Sequence, residues 1–321
     1  MRHATTCLIM ALLLGVGCST KRSPGDLLAP GQVGVIVVDA QLIVGRPMPR
    51  LFLRTTQAPG APYDRDAAVL RMATVQITNS VGDTIDYFDY TLISRGAYVP
   101  DDAGGTRLHD VLPNTTYSLR VVAPDGRVVT AETTTPDSFH VRDWLLLDDP
   151  TLAIRRRLVT REDFSVDGDS VYVVDTNQLT YQDGLLEARF DRGNAVGYHV
   201  GLFSRDIGSP LVIDADFLSE EDKASLDRET SSPPFEAVDG AIRLPWFAIF
   251  FEGRYDIKIY AVDRNWFDLA RSLQFFGDTN IAFGSNAGDN FEQPIFHVKG
   301  GIGLFGSAAM DGVGFTVHSR P

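Results

Sequence analysis

The chain has 321 residues, of which 44% are hydrophobic, and its 42 acidic residues outnumber its 29 basic ones, giving a net charge of −13 at pH 7. This charge has the wrong sign for electrostatic binding to nucleic acid or to an anionic membrane surface. The length is sufficient for two domains, each with a core of its own.

The start of the chain has the layout of an export signal. Arg2 gives a basic start, a mostly apolar run covers residues 4–16, and the small residues Gly15 and Gly17 come just before Cys18. The apolar run is too short to span a bilayer. The stretch resembles the lipobox of bacterial lipoproteins, with Gly15 where that motif usually has leucine. We therefore predict cleavage after Gly17 and a lipid on Cys18.

The cysteine count supports lipidation. Cys7 lies in the segment that cleavage removes, so Cys18 is the only cysteine of the mature chain and no disulfide is expected. An unpaired thiol is uncommon in an oxidising compartment, although cleavage that leaves an unmodified thiol is the alternative. The removed segment contains Arg2 as its only charged residue. The mature chain therefore has 28 basic and 42 acidic residues and a net charge of −14. Because no second apolar run is long enough to cross a membrane, attachment would depend on the lipid.

Residues 18–31 carry turn-forming residues without a periodic apolar face, and we predict a flexible tether there. From Val33 onwards, short strands alternate with turns. The predicted strands are residues 35–38, 74–78, 97–99, 117–121 and 128–131. Regular strand and turn spacing without intervening helices is typical of an antiparallel β-sandwich. We place this domain at residues 32–140, because Pro136 interrupts the strand pattern.

Residues 141–321 are predicted to form a larger β-rich domain. Its predicted strands are residues 170–174, 185–190, 198–203 and 254–262. Two helices interrupt this pattern. Ser219 is an N-cap followed by acidic residues, and residues 263–273 repeat apolar side chains at helical spacing. The predicted fold class is therefore all-β, with two antiparallel β-sandwich domains and one or two short helices in the second.

The aromatic segment at residues 246–251 is predicted as a core strand. Alternation directs Trp246, Ala248 and Phe250 inward. The side chains on the opposite face are Phe247, Ile249 and Phe251. That second face needs cover from a helix, a loop or a partner. Packing inside the protein is the first interpretation, and a partner surface formed by these three residues is the second.

Gly301, Gly303 and Gly306 match the G-x-G-x-x-G pattern of dinucleotide-binding folds. Such a site needs a strand before it, a helix after it and an acidic residue about 20 positions further on. Only 15 residues follow Gly306, so we reject a nucleotide site. The glycines are expected instead to permit close backbone approach or a bulge in a strand.

The sequence contains no convincing catalytic or metal-binding pattern. Residues 284–288 have the wrong spacing for the G-x-S-x-G motif of serine hydrolases. Asp167 with Asp169, and Asp214 with Asp216, do not extend into the spacing of a calcium loop. The histidines of the mature chain lie at scattered positions, without zinc spacing: His109, His140, His199, His297 and His318. We therefore predict no catalytic residue, no metal ligand and no cofactor, and we do not expect an enzyme.

Two groups of residues carry a resemblance to a known family. The first group is Ala73-x-Val75-x-Ile77, Gly82, Gly96-x-Tyr98, Leu112-Pro113, Tyr117-x-Leu119-x-Val121 and Pro124-Asp125-Gly126. The second group is Phe291-Glu292-Gln293-Pro294 followed by Gly300-Gly301-Ile302-Gly303-Leu304-Phe305-Gly306-Ser307. Both groups resemble the DUF4249 lipoproteins of Bacteroidetes-type bacteria, and the resemblance spans nearly the whole mature chain.

The resemblance implies an outer-membrane lipoprotein with an N-terminal immunoglobulin-like sandwich, commonly encoded beside TonB-dependent receptors. It implies no enzymatic activity and no catalytic residues. We therefore expect a lipid-anchored binding accessory of a TonB-dependent receptor in nutrient uptake, facing the periplasm or the cell surface. Its ligand is an unidentified small molecule or peptide, and nucleic acid is not a partner. A structural or adhesive cell-surface protein is the alternative, and the absence of an adjacent receptor gene would favour it.

Overall fold

The computed structural model describes residues 33–58, 62–101, 109–160, 177–213, 219–237, 239–244, 246–273 and 294–320. The strands up to residue 140 are β1 (Ile36–Ile43), β2 (Leu51–Thr55), β3 (Thr74–Asn79), β4 (Thr84–Asp89), β5 (Ala97–Pro100), β6 (Thr116–Val122) and β7 (Val128–Thr134). The next strands are β8 (Val141–Leu147), β9 (Ile154–Arg157), β10 (Gln178–Thr180), β11 (Leu185–Phe190), β12 (Gly197–Ser204) and β13 (Glu229–Ser231). The last strands are β14 (Ala241–Leu244), β15 (Gly253–Val262), β16 (Val298–Lys299) and β17 (Ile302–His318). The two α-helices are α1 (Glu220–Ser225) and α2 (Arg264–Leu273). None of the helices within these ranges is long and apolar enough to cross a membrane.

The strands form one large sheet and one small sheet. The large sheet has the order β13-β12-β15-β17-β1-β2-β5-β4-β3-β6-β7-β16, and β10 also pairs with β17. The small sheet has the order β14-β11-β8-β9. Strand pairs are antiparallel except for β1 with β17 and β10 with β17, which are parallel. The all-β sandwich fold predicted from the sequence is confirmed.

The first core lies within the part of the large sheet that runs from β1 to β7. Its strands alternate buried and more exposed residues, as in β6, because successive side chains point to opposite faces. Tyr98 is fully buried. Its hydroxyl donates to the Leu70 carbonyl at 2.9 Å and accepts from the Ala73 N–H at 3.0 Å. These bonds offset the cost of removing the phenol from water.

The second core lies between the small sheet and the strands β12, β15 and β17 of the large sheet. Tyr198, Ile257 and Phe315 enter it from the large sheet, and Trp144 and Leu186 enter it from the small sheet. Two sheets that each bury one face against the other form the layered arrangement expected of a sandwich.

Strand β17 belongs to both cores. Its residues 302–308 pair in parallel with residues 37–43 of β1, and its residues 308–317 pair antiparallel with β15. Phe305 lies in the first core and Phe315 in the second. The end of the chain thus returns to the first core. The first domain predicted from the sequence covers residues 32–140 and therefore does not include residues 302–308.

Gly301 and Gly303 lie where β17 runs close to β1. A Cβ on Gly301 would come within 2.6 Å of the Ile36 carbonyl oxygen and 3.3 Å of the Val129 side chain. Gly303 has a φ of +108°, and a Cβ there would collide with the carbonyl oxygen of Val38. The expectation that these glycines permit close backbone approach is therefore confirmed.

The substitution Gly303→Ala is expected to lower the free energy of unfolding by roughly 2–5 kcal/mol. About 1–2 kcal/mol comes from the left-handed backbone and about 1–3 kcal/mol from overpacking against Val38. Urea denaturation measures the change. Gly126→Ala is the matched control, because Gly126 has a φ of +86° and no atom within 4 Å of the added Cβ. Equal losses in both variants would show that the close approach to β1 does not matter.

Asp263 joins α2 to β7 and β17. Its carboxylate accepts from the Trp266 N–H at 2.9 Å and from the Thr133 hydroxyl at 2.5 Å. Its own N–H donates to the Ser307 carbonyl at 2.9 Å. Burial raises the pKa of Asp263, and these hydrogen bonds to the carboxylate act in the opposite direction. The residue therefore caps α2 and also links strands of the two cores.

Both helices predicted from the sequence are present. The Ser219 hydroxyl accepts from the Asp222 N–H at 3.1 Å, and the Asp222 carboxylate accepts from the Ser219 N–H at 3.3 Å. This reciprocal pair is a capping box. Helix α2 buries Trp266 and Leu269, as its apolar spacing predicts.

The strand predicted at residues 246–251 is wrong. Trp246–Ala248 form a 3₁₀ helix, and the Ile249 N–H donates to the Trp246 carbonyl at 2.9 Å. At three residues per turn, Ile249 returns to the buried side with Trp246. Ile249 and Phe251 are 1% and 7% exposed and belong to the second core, whereas Phe247 is 51% exposed. The predicted partner surface of Phe247, Ile249 and Phe251 is therefore not formed.

Several sequence predictions lie outside the described residues. They concern the signal segment, Cys18, the tether, the Asp167–Asp169 and Asp214–Asp216 pairs and residues 284–288.

Candidate functional site

The outer face of β12 and β15 carries a groove. Side chains that alternate with those of the second core point to this face. Three cross-strand pairs lie on it: His199 with Tyr260, Gly201 with Lys258, and Phe203 with Asp256. The groove has a volume of about 410 Å³, a size typical of small-molecule sites. We call it the sheet groove, and its lining is Gln41, Ile43, His199, Gly201, Phe203, Glu229, Thr230, Ser231, Lys258, Tyr260, Trp266 and Met310.

Three rings form one wall of the sheet groove. The ring centroid of His199 lies 6.1 Å from that of Tyr260 and 6.1 Å from that of Trp266, and the last two are 5.7 Å apart. These separations are those of favourable aromatic packing. Asp263 fixes the first turn of α2 and thereby the position of Trp266. The wall is an aromatic surface against which a ring or an apolar ligand face can stack.

Phe203 forms the opposite end of the groove, and Gly201 lies between the two aromatic ends. A Cβ on Gly201 would come within 2.9 Å of the Phe203 ring and 3.5 Å of the Tyr260 ring. The absence of a side chain at Gly201 therefore leaves room for the Phe203 ring, which lies over it. The Lys258 ammonium lies 4.9 Å from the Phe203 ring centroid, at cation–π distance. From His199 to Phe203 the strand spans about 13 Å.

His199 is neutral at pH 7. Burial lowers its pKa to about 4, and a hydrogen bond with the backbone of Ser232 opposes this shift. The Nδ1 atom of His199 is buried and has no hydrogen-bond partner among the described residues. A buried polar atom without a partner lowers stability.

Polar side chains surround the aromatic surface. Glu229, Thr230 and Ser231 come from β13, and Gln41 comes from β1. The Thr230 hydroxyl donates to the Ala248 carbonyl at 3.4 Å, so β13 is held against the residues that follow β14. Together these side chains supply both hydrogen-bond donors and acceptors along the edge of the groove.

The charges near the groove compensate one another. Asp256 is fully buried and forms an ion pair with Arg205. Burial raises the pKa of Asp256, while Arg205 and Lys258 lower it. With Glu229 included, two cations and two carboxylates face this part of the sheet. The sheet groove is therefore close to neutral, although the whole chain carries −13.

The lining of the sheet groove is poor in acidic side chains. Glu229 is its only carboxylate among the described lining residues, so the carboxylate pair of a glycosidase is not present in it. In the part of the chain that the structure describes, no group of three or more His, Cys, Asp or Glu residues is placed to hold a metal ion. The groove is suited to binding, through stacking and hydrogen bonds.

The other histidines lie away from the sheet groove. His140 pairs with Asp311 at 2.9 Å, and His297 pairs with Asp268 at 2.8 Å. His318 contacts Gln178, and His109 is exposed. Sequence reasoning treated all five histidines alike and did not identify the groove. The available signal was that His199 and Phe203 share one strand face with a glycine between them.

A second cavity lies at the junction of the two cores and has a volume of about 330 Å³. Thr133, Asp263 and Asn265 contribute to its lining. The side-chain amide of Asn265 donates to the Phe305 carbonyl at 2.8 Å, and Thr133 bonds to Asp263. Because these polar groups already bind one another or the backbone, the cavity is a structural junction and a weaker candidate for ligand binding.

The substitution His199→Phe is expected to reduce the loss of stability on acidification. The folded pKa of about 4 lies below the ordinary value of 6.5, so the unfolded state binds the extra proton between these two pH values. Stability contributed in this way is present above pH 6.5 and is lost as pH falls towards 4. Wild type should lose roughly 1–3 kcal/mol more than His199→Phe between pH 7 and pH 4.

Urea denaturation at several pH values measures this difference. His109→Phe is the control, because His109 is exposed. The same pH dependence in wild type and in His199→Phe would contradict a buried, neutral His199.

Comparisons with known proteins identify the family of the chain. A family profile described as "Domain of unknown function (DUF4249)" matches residues 29–312. No curated protein matches the chain. One similar solved structure concerns host cell surface retention of a 1.5-MDa bacterial ice-binding adhesin. The match has 8% sequence identity and a TM-score of 0.19, and it covers 89% of this chain and 66% of that one. A TM-score this low supports no argument about fold or function.

Proposed function

The chain belongs to the DUF4249 family, whose function is unknown, and we propose from the chain's own residues that it is a non-enzymatic, lipid-anchored binding protein of the outer membrane. The lipid is attached to Cys18, and the ligand occupies the sheet groove. The anchor is supported by the export signal and by the unpaired cysteine that follows it. The binding role is supported by the geometry of the groove.

The observation that carries the binding role is the combination of aromatic side chains and a polar edge. His199, Tyr260 and Trp266 stand at one end and Phe203 at the other, with Gly201 between them. Sites for small ligands typically combine apolar and aromatic walls with a few polar groups that fix orientation. The sheet groove has both components and a volume of about 410 Å³.

The ligand class follows from the same features. Aromatic faces bind rings and apolar surfaces, and the polar edge requires a ligand with several hydrogen-bonding groups. The compensated charge of the groove favours a neutral ligand. A saccharide of one or two rings, or a short uncharged peptide, has this chemistry and a size that suits a volume of about 410 Å³.

The biological role that we propose is delivery of this ligand to an outer-membrane receptor of the TonB-dependent type. The support is the resemblance of the chain to lipoproteins that are commonly encoded beside such receptors. An adhesive role for the same sandwiches is the alternative. The adhesive role would apply if the protein does not bind such a receptor.

The substitution Gly201→Leu tests the ligand site. The leucine side chain collides with the Phe203 ring and displaces it. Ligand binding is expected to weaken at least tenfold, because the leucine and the displaced ring take up space beside the aromatic wall. The assay is retention on an array of neutral saccharides and uncharged short peptides. Thr84→Leu, an exposed strand position of the first sandwich, is the control. Equal retention by wild type and by Gly201→Leu, with both folded, would contradict binding in the groove.

The substitution Cys18→Ala tests the anchor and the partner. It removes the sulfur that would carry the lipid, so the protein should leave the membrane fraction, as centrifugation and intact mass would show. Wild-type protein extracted from its host in mild detergent should co-purify with a β-barrel receptor. Membrane attachment of Cys18→Ala with native processing would refute the anchor. An anchored wild-type protein without a receptor would instead favour adhesion.

A further inference from the structure

One end of the first sandwich carries an unusual number of exposed apolar side chains. Leu92 is 90% exposed, Met72 is 76% exposed and Ile93 is 74% exposed. Val33, at the start of the described chain, is 63% exposed, and Tyr63 is 60% exposed. We call this end the tether end, and it consists of residues 33–34, 63–72, 90–96 and 123–127. Single exposed apolar residues are normal on proteins, but a group of five at one end is not.

Strand register places these residues at the same end. Ile36 at the start of β1 pairs with Thr55 at the end of β2, and the Gly34 N–H donates to the Thr56 carbonyl at 2.8 Å. The Leu53 N–H, near the same end of β2, donates to the Gly96 carbonyl at 2.8 Å, at the close of the 90–96 turn.

Two further contacts bring the remaining turns to this end. The Met72 N–H donates to the Asp89 carboxylate at 2.6 Å, which places Met72 beside the 90–96 turn. The Arg127 side chain donates to the Gly34 carbonyl, which places the 123–127 turn beside the start of β1. The apolar side chains therefore surround the point where the chain enters the fold.

The turn that carries Leu92 and Ile93 is ordered by its own hydrogen bonds. The N–H groups of Ile93 and Ser94 donate to the Tyr90 carbonyl at 3.0 Å and 2.9 Å, and the Ala97 N–H donates to the Ser94 carbonyl at 2.9 Å. The Thr91 N–H donates to the Asp89 carboxylate at 2.8 Å. A turn held in this way presents its two aliphatic side chains to solvent in the folded state.

The four arginines and three aspartates of the tether end nearly balance in charge, which suits an apolar contact. Asp66 forms an ion pair with Arg95 at 2.7 Å, and Asp125 forms one with Arg127 at 2.8 Å. These pairs leave little net charge at the two turns, whereas the whole chain carries −13. Contact with a bilayer therefore depends here on apolar side chains and not on attraction to anionic lipids.

We infer that the tether end rests on the bilayer and that Leu92 and Ile93 enter its interfacial region. The inference rests on the proposed lipid anchor. Val33 follows Cys18 by 15 residues, so an anchored Cys18 keeps the start of β1 within about 50 Å of the membrane even when the tether is fully extended. Because the chain enters the fold at the end that carries the apolar side chains, docking of this end shortens the path that the tether must span.

Ile207 provides a matched control at the opposite end of the molecule. It is 93% exposed and follows Asp206, whose carboxylate accepts from the Arg254 N–H. Arg254 pairs with Thr316 near the end of β17, whereas the tether end lies beside the start of β17. About 15 residues of strand, on the order of 50 Å, separate the two positions.

The experiment uses the full-length lipoprotein, purified from membranes and reconstituted into phosphatidylcholine vesicles. Leu92→Cys and Ile207→Cys each introduce one thiol, because the sulfur of Cys18 is occupied by the lipid and Cys7 is removed with the signal. Each thiol is labelled with a polarity-sensitive fluorophore, and vesicle flotation reports anchoring. We expect a blue shift of the emission on reconstitution for Leu92→Cys and no shift for Ile207→Cys.

Three other results would overturn the inference, and they distinguish its failure from that of the anchor. Flotation without a shift at either position leaves the anchor intact but shows that the tether end does not touch lipid, so its apolar side chains would face a protein partner. Equal emission shifts at both positions would show that the protein has no preferred orientation on the bilayer. Loss of flotation in both labelled proteins and in wild type refutes the lipid anchor and, with it, the inference.

Discussion

The fold depends on the close passage of β17 beside β1. Seven residue pairs join these two strands in parallel, and the approach is possible only because Gly301 and Gly303 have no side chains to collide with the backbone of β1. Parallel pairing between segments about 265 residues apart cannot form until most of the chain has been synthesised. Once formed, it places Phe305 in the first core and Phe315 in the second, so one strand stabilises both.

The candidate site is a consequence of this arrangement. β17 brings β15 and β12 into the same sheet as β1, and the outer face of these strands then carries the sheet groove. Gln41 reaches the groove from the first sandwich, and Trp266 reaches it from α2, whose first turn is fixed by Asp263. Asp263 in turn bonds to Thr133 of the first sandwich. A change that loosens the junction of the two cores is therefore expected to disturb the groove as well.

Local patterns in the sequence were sufficient to predict the strands β3, β6 and β7, the N-cap at Ser219 and the structural role of the glycines. The 246–251 segment was misassigned because alternation and a 3₁₀ turn are hard to separate over six apolar residues. Pro245 was the available signal, since proline cannot donate in a strand ladder and favours the start of a helical turn. Neither the return of β17 to the first core nor the meeting of His199, Tyr260 and Trp266 could be predicted, because both depend on contacts between distant segments.

The central claim is that β17 makes the two cores one cooperative unit. Native-state hydrogen exchange in increasing urea tests it most directly, by following the amides of β3 and β6 in the first core and of β11 and β12 in the second. None of these strands pairs with β17, so each reports on its own core. The account predicts that both sets lose protection at the same urea concentration and with the same free energy of opening. Loss of protection in one core while the other stays protected would contradict it.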